Sequence, residues 1–239
     1  MRIAMWSGPR NLSTAMMYSF AARGDCAIWD EPFYGAFLKI TGLDHPMRDV
    51  VLREVETDPE GVVEAALGPI PAQKAHFYQK HMTHHMVTAV PRNWMAEVKN
   101  VFLIRHPARV IASYLAKREH PTGDDIGFWQ QAEIFDEVRA RTGGVPVVID
   151  ASDIRQDPAG MLSALCDRLG LPFTEAMLRW PAGGRPEDGP WAPHWYGSVW
   201  TSTGFAGPEG PLPDVAAENA LLREAMVHYE RLADHRLCL

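Results

Sequence analysis

The feature that most constrains the fold is an N-terminal pattern of strand, loop and helix, which reads IAMWSGPRNLSTAMM over residues 3–17. Unpaired backbone N–H groups and the helix dipole make the start of a helix electropositive. Arg10 adds a fixed charge with forked donors, and the hydroxyls of Ser13 and Thr14 open the helical pattern. The pattern therefore predicts a loop that binds phosphate at a helix N-terminus.

This loop departs from the Walker pattern G-x-x-x-x-G-K-[ST] of ATP- and GTP-binding proteins. Leu12 stands where that pattern requires lysine, and the second glycine is absent. The sequence thus predicts a phosphate loop, but not a standard ATP or GTP loop.

Short apolar runs alternate with longer helical patterns along the chain, which is typical of βαβ units around a parallel sheet. The predicted strands cover residues 2–7, 26–30, 76–80, 101–105 and 145–150. The predicted helices cover residues 13–23, 107–118, 125–141, 158–170 and 215–234. We therefore expect an α/β fold of three layers, P-loop-like, with a central, mainly parallel sheet flanked by helices.

The composition favours one globular domain. The chain has 239 residues, of which 46% are hydrophobic and 22% charged, enough to bury a sizeable core. We expect a single domain over residues 1–239. The net charge of −7 offers no general attraction for nucleic acid, so we expect no nucleic-acid partner and only a local anion site.

Cysteine usage and hydropathy predict a cytoplasmic protein. Cys26, Cys166 and Cys238 are widely spaced and form no C-x-x-C pair, which indicates a reducing compartment. No apolar window is long enough to span a membrane, and the chain does not open with the pattern of a secretory signal. We expect a soluble protein without a membrane partner.

Residues 181–213 are rich in glycine, proline and tryptophan, so irregular backbone is expected there. The aromatic residues in and next to this segment are Trp180, Trp191, Trp195, Tyr196, Trp200 and Phe205. They carry too much apolar surface to stay in water. We expect the segment to pack either as a lid over the phosphate site or simply as core beneath a long loop.

A second candidate anion site follows the apolar run before Arg105. Pro107 is suited to the first turn of a helix, and Ser113 falls about two turns further on. Ligands of α/β proteins bind where parallel strands end, so Arg105 and Ser113 could both reach one phosphate. Nucleotide triphosphatases commonly place an aspartate at such a strand end to hold magnesium, so arginine here favours anion binding without a metal.

The first loop, the segment LIRHP over residues 103–107 with Ser113, and the stretch over residues 147–172 closely resemble three motifs of sulfotransferases. These enzymes use 3′-phosphoadenosine 5′-phosphosulfate (PAPS). The motifs occur in the family's order and cover roughly residues 1–175. The resemblance implies PAPS as cosubstrate, no metal, and transfer of a sulfuryl group to a small-molecule acceptor.

The resemblance also implies roles for individual residues. Arg10 stands where the family contacts the 5′-phosphosulfate, and Arg105 and Ser113 fall on the pair that binds the 3′-phosphate. The rest of the family's loop corresponds to Asn11, Leu12, Ser13 and Thr14. Leu12 replaces the usual glycine, and no copy of the family's C-terminal Arg-Lys-Gly segment is present, with Arg185 as a candidate substitute.

Sulfuryl transfer needs a base for the acceptor's proton and a cation for the leaving phosphate. Arg10 can serve the leaving group. Glu31, at the end of the second predicted strand, is the first choice of base, because some similar bacterial sulfotransferases use a glutamate there. The alternative is that Asp30 and Glu31 only cap a helix and place a carboxylate in its first turn. His81 is the alternative base, with Lys80 assisting the bridging oxygen, because this region resembles the Lys-x-His region of cytosolic sulfotransferases.

Other readings remain open. His81 and His85 have the i, i+4 spacing of a helical metal site, but no third ligand is identifiable, so no metal is expected. A P-loop-type kinase would need a magnesium carboxylate, for which Asp150 is the candidate, and a non-catalytic nucleotide-binding protein is the other alternative. The apolar stripe of the last predicted helix could meet a second subunit, which makes a homodimer possible.

Overall fold

The computed structural model describes residues 1–117, 120–216 and 219–239, and within them five parallel strands form the central sheet. The strands are β1 (Arg2–Ser7), β2 (Cys26–Asp30), β3 (His76–Met82), β4 (Lys99–Ile104) and β5 (Val147–Asp150). Their order across the sheet is β2-β3-β1-β4-β5. The predicted fold class, a parallel sheet flanked by helices, is confirmed.

Helices connect and cover these strands. They are α1 (Ser13–Ala22), α2 (Tyr34–Thr41), α3 (Arg48–Glu54), α4 (Pro59–Leu67), α5 (Pro107–Leu115), α6 (Gly123–Ile126), α7 (Phe128–Thr142), α8 (Ala151–Gln156), α9 (Pro158–Leu169), α10 (Ala192–Trp195), α11 (Gly197–Trp200) and α12 (Ala220–Ala233). Short 3₁₀ helices add Pro71–Gln73, Thr83–His85, Asn93–Glu97 and Glu175–Leu178.

The sheet has an apolar core on each face because successive side chains of a strand point to opposite sides. In β1, Ile3 and Met5 belong to the core that includes α1 and α9, whereas Ala4 and Trp6 belong to the core that includes α7 and α12. The sheet is therefore buried on both faces, and its strand ends are the places left for polar chemistry.

The predicted strands all exist; β1 and β2 have the predicted bounds, and the other three have shifted ends. β3 continues to Met82, and β4 ends at Ile104, so that Arg105 lies just beyond the strand. Gly127 divides the helix predicted over residues 125–141, because it has the left-handed φ of 69° that glycine adopts readily. The predicted helix ending at residue 118 stops at Leu115, and residue 118 lies outside the described residues.

Three helices between β2 and β3 were not predicted. α2, α3 and α4 are seven to nine residues long, too short for a clear periodic pattern. A local signal existed for α4, because Asp58 caps it and Pro59 occupies its first turn. The last predicted helix begins at Ala220 rather than residue 215, and residues 217 and 218 lie outside the described part.

Helix α12 packs against α5 and α7 of the same chain, burying Ala225 and Leu232. The apolar stripe of α12 therefore packs within the same chain. The homodimer stays a prediction. Among the described residues, no helix combines the length and apolar character needed to cross a membrane.

Candidate functional site

The carboxyl ends of β1, β2 and β3 face a cavity of about 690 Å³. It is lined by the loop after β1, by residues following β2 and β3, and by aromatic side chains of residues 181–213. From the predicted site it includes Arg10, Asn11, Ser13, Thr14, Glu31 and Lys80. This is the edge at which α/β proteins bind ligands.

The loop after β1 is held in shape by its own side chains and by its neighbours. The Asn11 side chain donates to the Leu103 carbonyl at 2.9 Å and accepts from the Leu12 N–H at 2.7 Å. A Cβ at Gly8 would lie 2.7 Å from the Ile126 carbonyl oxygen, so only glycine fits this approach. Leu12, in place of the family's glycine, packs against the core. Asn11 and Leu12 thus shape the loop.

Arg10 brings the positive charge to the cavity. Its backbone is left-handed, with φ at 54°, and its guanidinium lies 5.0 Å from the ring centre of Tyr114 and 5.1 Å from that of Trp195. Ser13 and Thr14 open α1, whose first turn carries no acidic residue and whose N-cap side chain makes no capping bond. The loop and helix therefore present an electropositive surface to the cavity.

A buried cluster lies at the carboxyl ends of β2 and β3. Asp30 and Lys80 are paired in register, so their side chains meet, with Lys80 Nζ 2.9 Å from Asp30 Oδ1. Lys80 Nζ also lies 2.6 Å from Glu31 Oε1 and 2.6 Å from the Tyr196 hydroxyl. Burial lowers the pKa of Lys80, but the two carboxylates outweigh burial and hold that pKa above its usual value.

This geometry gives Lys80 partners that the sequence did not predict. An ammonium group has three donors, and those of Lys80 go to Asp30, Glu31 and Tyr196. In this arrangement Lys80 contacts the carboxylate of Glu31, and its assistance to a bridging oxygen stays a prediction.

Asp30 ties residues 181–213 to the sheet edge. Its carboxylate accepts from the Tyr196 hydroxyl at 2.7 Å and from the Gly189 N–H at 3.1 Å. Trp191 Nε1 donates to the same hydroxyl at 3.2 Å, and both aromatic side chains are buried. The segment is therefore docked beside the cavity through a polar centre inside an apolar shell.

Glu31 lines the cavity directly after β2. Its φ of 42° is left-handed, a costly conformation for a non-glycine residue, and strain of this kind clusters at functional sites. Burial raises the pKa of Glu31 above its ordinary value, although the charge of Lys80 acts in the opposite direction. Its Oε2 lies 4.0 Å from His85 Nε2. Glu31 is thus a partly desolvated carboxylate in the same cavity as the electropositive loop with Arg10.

His81 does not reach the cavity. It lies within β3 in register with Trp6, and its ring stacks on Trp6 at 4.6 Å and lies 5.2 Å from Trp94. Its Nε2 is 3.2 Å from Gln79 Oε1. Burial lowers the pKa of His81 to about 3. Because neighbouring strand residues face opposite sides, His81 belongs to the core, and the structure does not support it as the base.

Among the described residues that line the cavity are four other histidines, His45, His84, His85 and His120. His84 and His85 lie in the 3₁₀ helix after β3. His85 stacks between Tyr34 at 4.7 Å and Phe37 at 4.8 Å. Burial lowers the pKa of His84 to about 4 and that of His85 well below its usual value, so both are neutral near pH 7. His81 lies in β3 and His85 in the following 3₁₀ helix, so their i, i+4 spacing is not that of two residues on one α-helical face.

Arg105 belongs to a cluster of three arginines around the carboxylate of Glu209. Its Nη1 donates to the Arg10 carbonyl at 2.5 Å, and its Nη2 lies 2.5 Å from Glu209 Oε1. Arg109 Nε and Arg155 Nη1 lie 2.7 and 2.9 Å from the same carboxylate. Burial raises the pKa of Glu209, but the hydrogen bond and charge of Arg105 and the other arginines hold it below its usual value.

Sequence reasoning missed Arg109, Arg155 and Glu209. Arg109 lies four residues after Arg105, which was a usable signal, whereas Glu209 is distant in sequence and carried none. Ser113 lies further along α5, outside the cluster around Glu209. Arg185 lies elsewhere, 5.5 Å from the ring of Tyr18, and so is not part of it either.

The residues considered for metal binding have other partners. Asp150 caps α8 by accepting from the Ser152 N–H at 2.7 Å, and it accepts from the Tyr229 hydroxyl at 2.8 Å. Within residues 1–117, 120–216 and 219–239, no group of three His, Cys, Asp or Glu side chains is arranged to hold a metal ion.

Comparison with known proteins gives a family match over nearly the whole chain. The model of the sulfotransferase domain matches residues 1–235. Two Arabidopsis thaliana proteins, branched-chain-amino-acid aminotransferase-like proteins 2 and 1, are 40% and 39% identical over 87% and 98% of this chain. The chain covers only 36% and 42% of their respective lengths.

Solved structures share the fold at low identity. A sulfotransferase from Alicyclobacillus acidocaldarius superposes with a TM-score of 0.55 at 10% identity, covering 98% of this chain and 96% of that one. The sulfotransferase domain of the Synechococcus PCC 7002 olefin synthase gives 0.53 at 16% identity, covering 98% and 94%.

Proposed function

The chain belongs to the sulfotransferase family, and we propose that it transfers a sulfuryl group from PAPS to a hydroxyl or amine of a small-molecule acceptor. One observation carries this proposal: the electropositive loop with Arg10 and the desolvated carboxylate of Glu31 line the same cavity. An anion-binding surface next to a base is the arrangement that sulfuryl transfer needs.

The proposed reaction is a direct in-line transfer. Glu31 accepts the proton of the acceptor, whose oxygen or nitrogen forms a bond to sulfur while the bond from sulfur to the 5′-phosphate oxygen breaks. The products are the sulfated acceptor and 3′,5′-adenosine bisphosphate. Arg10 stabilises the charge that grows on the leaving phosphate, with the N-terminus of α1 beside it.

The surroundings of Glu31 support its role as the base. A raised pKa strengthens a carboxylate as a proton acceptor, and Lys80 holds its Oε1 so that Oε2 remains for the acceptor. The family resemblance assigns the 3′-phosphate to Arg105, which is joined to the loop through the Arg10 carbonyl.

The walls of the cavity suggest the class of acceptor. Aromatic residues Tyr34, Phe37 and Trp129 line it, together with the carboxylates of Asp124 and Glu133. Aromatic faces and carboxylates favour apolar or cationic molecules. We propose an acceptor of that kind.

Isothermal titration with 3′,5′-adenosine bisphosphate and with 5′-AMP tests the nucleotide assignment. The bisphosphate should bind at least about tenfold more tightly, because its 3′-phosphate adds charge-assisted hydrogen bonds to arginine. Equal affinities that persist when Glu209, the carboxylate that Arg105 contacts, is replaced by glutamine would remove Arg105 from the proposed site.

A further inference from the structure

Residues 206–212, here called the strap, form an exposed segment with one buried anchor. The strap reads AGPEGPL, and its residues on both sides of Glu209 are exposed. The Glu209 side chain is only 4% exposed. Burying a charged carboxylate is costly unless it is paired, so a buried carboxylate in an otherwise exposed segment indicates a specific interaction.

The partners of Glu209 form a site suited to phosphate. Arg105, Arg109 and Arg155 surround one carboxylate, and Ser152 Oγ donates to it at 3.2 Å. Three guanidinium groups facing one carboxylate leave an excess of positive charge. Arg105 Nε is moreover buried without a hydrogen-bond partner. A phosphate dianion, with more charge and more acceptor oxygens, would satisfy these groups better than a carboxylate.

The same arginines also hold the strap's backbone. Arg155 Nε donates to the Gly207 carbonyl at 2.8 Å, and Arg109 Nη2 donates to the Gly210 carbonyl at 2.5 Å. Pro208 and Pro211 lack backbone N–H groups, which reduces the hydrogen bonds that the strap could make elsewhere. An anion that takes these arginines would therefore loosen the strap and its anchor together.

We propose that Glu209 determines nucleotide specificity: its carboxylate occupies the arginine site as an internal anion and competes with the 3′-phosphate of the donor nucleotide. The nucleotide binds by displacing Glu209 and the strap, and Arg109, Arg155 and Ser152 become phosphate contacts beside Arg105. This inference rests on the proposed function, because it takes the competing group to be the 3′-phosphate.

Titration of the Glu209→Gln variant tests the competition. Glutamine keeps the side-chain shape without the charge, so affinity for 3′,5′-adenosine bisphosphate should rise about tenfold. Affinity for 5′-AMP, which lacks the competing phosphate, should stay within about twofold. The matched control is Glu137→Gln, which removes a carboxylate held by Arg92 and Arg141 elsewhere and should change neither affinity.

A second variant keeps the test decisive if Glu209→Gln does not fold. Glu209→Asp retains the charge but shortens the side chain, so bisphosphate affinity should rise by a smaller factor. If the wild type prefers the bisphosphate over 5′-AMP but neither variant binds it more tightly, Glu209 is a fixed structural partner and the inference alone fails. If wild type and variants bind both nucleotides equally, the proposed nucleotide site fails as well.

Discussion

At the scale of single residues, the position of a side chain in β3 decides what it can do. Lys80 and His81 are neighbours in sequence, yet one meets the carboxylates near the cavity and the other stacks on Trp6 in the core. Sequence alone indicated a polar strand end but not which face each residue would take, because that depends on register with β1 and β2. Glu31 was predictable because it directly follows a short apolar strand.

The burial of His81 predicts a pH dependence of stability. Its pKa is about 3 in the folded protein and about 6.5 when unfolded, so stability from the neutral ring is present above pH 6.5 and lost as pH falls toward 3. The loss is about 1.4 kcal/mol per pH unit. His81→Leu should therefore reduce the drop in unfolding free energy between pH 7.5 and pH 5 by about 2 kcal/mol, measured by urea unfolding.

The exposed His194 provides the control for this measurement. His194→Leu should leave the drop between the two pH values unchanged. An equal drop in wild type and His81→Leu would show that His81 is free to take up a proton when the protein is folded.

At the scale of elements, the site depends on how residues 181–213 dock against β2 and β3. The Tyr196 hydroxyl joins Asp30, Lys80 and Trp191, and its pKa is raised well above the usual value by burial, so it keeps its proton and donates. The aromatic content of this segment predicted that it packs against something. The specific anchor was not predictable, because it pairs residues 166 positions apart.

Tyr196→Phe removes this anchor without changing the shape of the ring. The buried carboxylate of Asp30 and the ammonium of Lys80 each lose a partner, at a cost of about 1–3 kcal/mol. Amide hydrogen exchange should become faster in residues 189–200 and remain unchanged in β1 and β4, as measured by mass spectrometry.

Tyr229→Phe is the matched control, because Tyr229 donates in the same way to Asp150 at 2.8 Å. It should leave exchange in residues 189–200 as in the wild type. Unchanged exchange there in Tyr196→Phe would mean that apolar packing alone docks the segment.

At the scale of the whole molecule, sequence predicted the sheet well because β1, β2, β4 and β5 are short, mainly apolar runs, whereas β3 mixes apolar and polar residues. The order of strands, the cavity and the arginine cluster depend on contacts between distant segments. Glu209 meets Arg105 across 104 positions, and no local pattern marks such a pair. Family resemblance supplied the proposed function, whereas the structure supplied the partners of Arg105 and placed His81 in the core.

The most direct measurement of the central claim is transfer of labelled sulfuryl from PAPS to a panel of alcohols, phenols, amines and carbohydrates, followed by the mass gain of the acceptor. Wild-type protein should sulfate at least one apolar or cationic acceptor. Glu31→Gln should lower the rate by about 10²–10⁴-fold, because the base is lost, while bisphosphate affinity stays within about twofold. No mass gain in any acceptor, or full activity in Glu31→Gln, would contradict the account.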